Sequence, residues 1–182
     1  MSWVRDSITP FGDYIGFVPG LLVSVLVALA VGGHVAGRLR VNRTTAVLLV
    51  ISLGVVLAAT VTPSREALIG AVPPVPARCD MSRFWLAPLS AYGRVSDTSL
   101  NVLLFVPLGA LIGLTPPSPY RWPIILAAIA LPFVIEGFQL IAAPLGRACQ
   151  SGDVVDNLAG LVLGLVGGWS VGTVWRLAGG HR

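Results

Sequence analysis

Charge disappears from this chain in five long stretches. No charged residue lies between Asp13 and Arg38, and that stretch centres on LLVSVLVALAV. TAVLLVISLGVVLAATV lies between Arg43 and Arg65, and SLNVLLFVPLGALIGL between Asp97 and Arg121. A fourth stretch runs from Trp122 to Gly146, interrupted only by Glu136, and a fifth separates Asp156 from Arg176. Each is near the ~20 residues that a helix needs to cross a ~30 Å hydrocarbon layer. In lipid every backbone N–H and C=O needs an internal partner, so apolar runs of this length cross as helices. The pattern predicts an all-α, polytopic transmembrane helical bundle of about five spans. They are expected at about 15–37, 44–62, 99–115, 122–144 and 154–176, with a loop over about 63–98.

The first stretch has one feature of a cleavable signal, the small residues at Ala28-Leu29-Ala30. Its flanks have the wrong polarity for export. Asp6 and Asp13 precede it, and Arg38, Arg40 and Arg43 follow it. It reads as a retained span.

Composition supports the membrane class. Hydrophobic residues make up 55% of the 182 and charged residues only 11%, against about 25% in a typical soluble domain. The net charge is +4, and all twelve basic residues are Arg. These arginines sit at the ends of the apolar stretches rather than in one patch, so they point to membrane lipids and not to nucleic acid.

The same arginines give an orientation. The first link carries Arg38, Arg40 and Arg43, the third carries Arg121, and the C-terminal tail carries Arg176 and Arg182. None of these segments holds an acid. Asp6, Asp13, Glu66, Asp80, Asp97, Asp153 and Asp156 all fall on the other side. By the positive-inside rule the N-terminus is expected outside and the C-terminus in the cytoplasm.

The longest loop is then extracytoplasmic. It holds Pro73, Pro74 and Pro76, then Phe84-Trp85 and Tyr92, aromatics suited to the headgroup layer. Cys79 and Cys149 both fall on this side, in a compartment that permits a disulfide. Two cysteines alone leave bonded and free states open.

In a membrane chain the informative residues are polar ones at membrane depth. Glu136 is expected roughly ten residues from the outer end of the fourth span, about 15 Å at 1.5 Å per residue. Gln139 shares its face at i+3, Pro132 precedes it by one turn, and Arg147 closes the span. The fifth span opens with Asp153, Asp156, Asn157 and Gly160, all on one face. Gly164 and Gly168 continue a stripe that lets another helix come close. The third span contributes Asn101, with Phe105 and Gly109 below it and Pro107 within it. These groups fall in one outer layer and predict a polar pocket there.

Each has a plainer reading beside the functional one. Asp153 suits an N-cap, and Asp156 the third position of a helix, where the dipole favours an acid. Arg147 suits a headgroup anchor, and Asn101, Gln139 and Asn157 suit interhelical hydrogen bonds. Glu136 is the hardest to read as structural, because a buried carboxyl needs a partner or a proton. His34 has no motif around it.

The segments NVLLFVPLG from Asn101 to Gly109, EGFQ from Glu136 to Gln139, and Arg147 followed by Asp153, Asp156, Asn157 and Gly160 resemble the VanZ-like family of bacterial membrane proteins. Their order over three consecutive apolar segments carries the resemblance, which covers roughly residues 50 to 176 of a single membrane domain, 1–182. It implies a multi-pass protein of the bacterial cell membrane. The family's namesake is associated with resistance to the glycopeptide teicoplanin. The family pattern settles neither a reaction nor a cofactor.

Three functions stay open. The leading one is a protein that binds or modifies an amphiphilic envelope molecule, such as a lipid-linked cell-wall precursor or a glycopeptide. Asn101, Gln139, Arg147 and Asn157 would bind it, Arg147 through a phosphate or carboxylate. The second is an intramembrane enzyme in which Glu136, Asp153 and Asp156 serve as acid and base or hold a hard cation. No nucleophile with an activating neighbour stands among them. The third is a small proton-coupled transporter; the glycine stripe leaves a homo-oligomer open.

Overall fold

The computed structural model describes residues 16–63, 67, 69–70, 78–142 and 145–179. Asp6, Asp13, Arg65, Glu66, the prolines at 73, 74 and 76, and Arg182 lie outside the described residues, as do the expectations attached to them.

Five long helices form the bundle: α1 (Phe17–Leu39), α2 (Arg43–Val61), α4 (Asp97–Leu114), α5 (Arg121–Ile141) and α6 (Ser151–Leu177). All five are long and apolar enough to cross a membrane. Between α2 and α4 lie the two-residue strand β1 (Cys79–Asp80) and the one-turn helix α3 (Leu89–Tyr92). A second short strand, β2 (Cys149–Gln150), precedes α6. β1 and β2 pair in parallel, Cys79 opposite Cys149 and Asp80 opposite Gln150.

Local capping chemistry places the helix starts. Asn42 accepts the Thr45 N–H at 2.7 Å, so α2 begins at Arg43. Ser96 and Ser99 form a reciprocal capping box, which starts α4 at Asp97 rather than at 99. α6 starts at Ser151, with Gln150 as its N-cap residue. Asp153 is therefore inside the first turn and not the N-cap. α5 stops at Ile141, where Ala142 donates its N–H to Phe138. Glu136 thus lies five residues from that end, about 7.5 Å, half the depth expected from the sequence.

The tightest packing is between α4 and α6, and glycine makes it. A methyl group added at Gly160, Gly164 or Gly168 would strike the backbone carbonyl oxygens of Val102, Val106 and Ala110 respectively. Gly109 meets the Leu161 carbonyl from the other side. Without a hydrophobic drive in lipid, such close backbone contact is what holds helices together. The stripe is filled by α4 of the same chain, so this face is not offered to a second copy.

Phe105, Leu108 and Ile112 of α4 meet Val56, Ile135 and Leu161 in the buried centre. Pro107 sits on the exposed side of α4, and Pro132 is buried in α5, which continues through it as one helix. Leu22, Leu103, Phe133, Leu163 and Val174 point outward, as lipid-facing residues do. At one end of the bundle Arg38 donates to the Tyr120 hydroxyl at 3.3 Å and lies over its ring, joining α1 to the start of α5. The opposite end carries β1, β2 and α3.

Candidate functional site

The polar residues of the three C-terminal long helices converge at the strand end of the bundle. They surround an open cavity of about 250 Å³. Asp97 and Asn101 come from α4, Glu136 and Gln139 from α5, and Asp153 and Asn157 from α6. Arg147 and Gln150 line it from the connection into α6, and Ala59 and Thr60 from the end of α2.

Two of these side chains secure the wall. The last carbonyls of a helix have no partner within it. At the end of α2 they are met from outside: Gln139 donates Nε2 to the Thr60 oxygen at 2.9 Å. Arg147 donates Nε to Thr62 at 3.0 Å and Nη2 to Ala59 at 2.7 Å. The guanidinium and amide read from sequence as ligand contacts therefore also cap a helix end, where a cation suits the dipole.

Glu136 is buried and accepts the Gln150 N–H at 2.7 Å. This bond ties α5 to the strand that leads into α6. Asp153 sits in the first turn of α6 with the Asn101 amide against its carboxyl, and the charges of Asp97 and Asp156 bear on it. Asn157 is 1% exposed, and its Oδ1 has no hydrogen-bond partner among the described residues. Such an orphan is rare in a buried side chain and calls for an explanation.

Asp156 goes elsewhere. It shares a helix face with Asp153 in sequence, yet it does not line the cavity. It is fully buried and holds the loop: Arg83 donates Nη1 to Oδ1 and Nη2 to Oδ2, and Tyr92 donates its hydroxyl to Oδ1 at 3.0 Å. The hydrogen bond to Asp156 holds the Arg83 guanidinium above its ordinary pKa. Burial, and then the same carboxylate, push the Tyr92 phenol up. Ser151 donates to the Arg83 carbonyl at 2.7 Å, so its hydroxyl is occupied.

Cys79 and Cys149 are joined as a disulfide with 4.5 Å between Cα atoms. It fastens the loop next to Gln150, whose N–H Glu136 holds. Phe84 and Trp85 are exposed, and neither they nor Tyr92 lines the cavity. No group of three His, Cys, Asp or Glu is placed to hold a metal ion among the described residues. Sequence reasoning missed Arg83, one arginine among several in a polar loop. It also passed over Asp97, which had served only as a span boundary.

A family model described as VanZ/LLP1 matches residues 49–172. The chain belongs to the VanZ/LLP1 family. The match begins inside α2 and ends inside α6, so every residue lining the cavity falls within it and α1 does not. No curated protein and no solved structure matches the chain. It is a VanZ-like, multi-pass membrane protein.

Proposed function

We propose that this VanZ-like protein binds or modifies the polar head of an amphiphilic molecule of the bacterial envelope, with a lipid-linked cell-wall precursor or a glycopeptide as candidate ligands, and that it thereby lowers teicoplanin susceptibility. One observation carries this reading. An open, polar cavity lies at one end of a membrane bundle, and four helices plus a disulfide-fastened connection supply its wall.

The cavity end is taken to face outward. Arg38, Arg40, Arg43, Arg121 and Arg176 lie at the other end in short, acid-free segments, whereas Arg78, Arg83, Arg94 and Arg147 at the cavity end are mixed with acids. The positive-inside rule favours the acid-free end as the cytoplasmic one. The disulfide beside the cavity supports the same assignment, since such bonds persist in oxidising compartments. The proposed orientation has the N-terminus outside and the C-terminus inside.

Binding is favoured over transport by what lies beneath the cavity. Below Leu104 the centre of the bundle is apolar, with Phe105, Leu108, Ile112 and Leu161 packed together. Glu136 and Asp153 are the residues to which an acid–base step would fall if the ligand is modified. The test is teicoplanin susceptibility of a sensitive host at matched expression. Wild type is expected to protect, and Glu136→Gln and Asp153→Asn to insert normally without protecting. Full protection by both variants would remove the cavity from the function.

A further inference from the structure

The chemistry of the wall narrows the head group. It presents acceptors from three helices: the carboxyls of Asp97, Glu136 and Asp153, and the orphaned Oδ1 of Asn157. Two of its donor side chains are turned to the end of α2, while the Asn101 amide and the Gln150 N–H each serve one acid, Asp153 and Glu136, and leave the remaining carboxylate oxygens to a ligand. Gln139 Nε2 serves Thr60, and Arg147 serves Ala59 and Thr62. Three acidic side chains face one guanidinium across about 250 Å³. A ligand that supplies hydrogen-bond donors and positive charge fits such a wall, because an uncompensated acceptor or carboxylate away from water is costly.

We propose that the cavity binds a primary ammonium group through Asp97, Glu136, Asp153 and Asn157. This rests on the reading that the cavity holds the head group of an amphiphile. A primary ammonium offers three N–H donors on one centre, and acceptors on α4, α5 and α6 surround it. Asn157 is the discriminating residue. It is nine-tenths buried, neutral and already in place, so its oxygen meets a donor without adding charge. A quaternary ammonium is the wrong cation, since such groups are held by aromatic faces and no aromatic side chain lines the cavity among the described residues.

The ammonium could arrive on an aminolipid from the outer leaflet or on a soluble amine. The test uses the full chain in detergent with its disulfide intact. It is titrated calorimetrically with dioctanoyl phosphatidylethanolamine, dioctanoyl phosphatidylcholine, dioctanoyl phosphatidylglycerol and ethanolamine. The ethanolamine lipid is expected to bind saturably, at least tenfold tighter than the choline and glycerol lipids. Asp153→Asn, Glu136→Gln and Asn157→Leu should each weaken it about tenfold or more. Asp97→Asn, at the exposed start of α4, keeps the test alive if a deeper variant fails to fold. Ethanolamine binding as tightly as its lipid assigns a soluble amine, and binding of the lipid alone assigns an aminolipid; both support the ammonium site. Tighter binding of the glycerol lipid overturns the ammonium while leaving a head-group cavity. Absence of any binding that the variants alter overturns both.

Discussion

Arg83 grips Asp156 with two prongs, Nη1 to Oδ1 at 3.1 Å and Nη2 to Oδ2 at 2.5 Å, across 73 positions of sequence. The guanidinium lies against Gly152, where an added methyl would come within 2.6 Å of it. One carboxylate one turn into α6 therefore anchors the whole loop that follows β1. Removing one partner of a buried pair leaves the other unpaired and costs roughly 3–5 kcal/mol. Arg83 is 23% exposed, which lowers the expected loss for Asp156→Ala to about 2–3 kcal/mol. Thermal unfolding in detergent checks this, and an unchanged midpoint would show the pair to be idle. Gly152→Ala should lower the midpoint too, by displacing the guanidinium.

The disulfide predicts both a labelling pattern and an orientation. An impermeant thiol reagent applied to intact cells should label Cys79 and Cys149 only after reduction. Labelling without reduction would rule out the bond in the cell. Labelling confined to inverted vesicles would reverse the topology. In the chain-entropy account, closing a loop of 70 residues stabilises by about 4 kcal/mol. Membrane helices already restrict the unfolded chain, so the effect of Cys79→Ser on the unfolding midpoint should fall below that figure.

Two glycines three residues apart on α6 should respond oppositely to the same change. Gly164 faces the Val106 carbonyl, whereas Gly167 has nothing within 4 Å of an added methyl. Gly164→Ala must push α4 and α6 apart, at an overpacking cost of about 1–3 kcal/mol. Gly167→Ala adds helix propensity worth up to about 1 kcal/mol and meets no obstacle. Melting curves of the two variants separate close packing from simple glycine content, and equal effects would refute the glycine account of this interface.

How much of this was legible beforehand depended on the range of the interaction. The five spans follow from local hydropathy, and the convergence of Asn101, Glu136, Gln139, Asp153 and Asn157 follows from helix period and alternating span direction. The sequence overstates the depth of Glu136, because an apolar run does not show where α5 ends. The separate fates of Asp153 and Asp156 were hidden as well. Three residues apart, they differ by a small rotation on the helix, and only the distant Arg83 and Tyr92 decide which one faces the cavity. Likewise Arg147 and Gln139 read as ligand groups because the open carbonyls of α2 are a property of the folded helix end.

Tyr92 links the loop to alkaline pH. Its hydroxyl accepts the Ala87 N–H at 3.0 Å and donates to Asp156 at 3.0 Å, so it must stay protonated to hold both. Burial raises its pKa above the ordinary value of about 10. A group that ionises less readily when folded favours the folded state below its free pKa, and that contribution is lost as pH rises through the folded pKa. The Arg83–Tyr92–Asp156 cluster should therefore hold across neutral pH and loosen only above about 10. Ultraviolet titration of wild type against Tyr92→Phe should show one late-ionising tyrosine missing from the variant. Tyr92→Phe should also lower the unfolding midpoint at pH 7, because Oδ1 of the buried carboxylate loses a donor. Ionisation of that tyrosine at or below the free value would contradict its placement against Asp156.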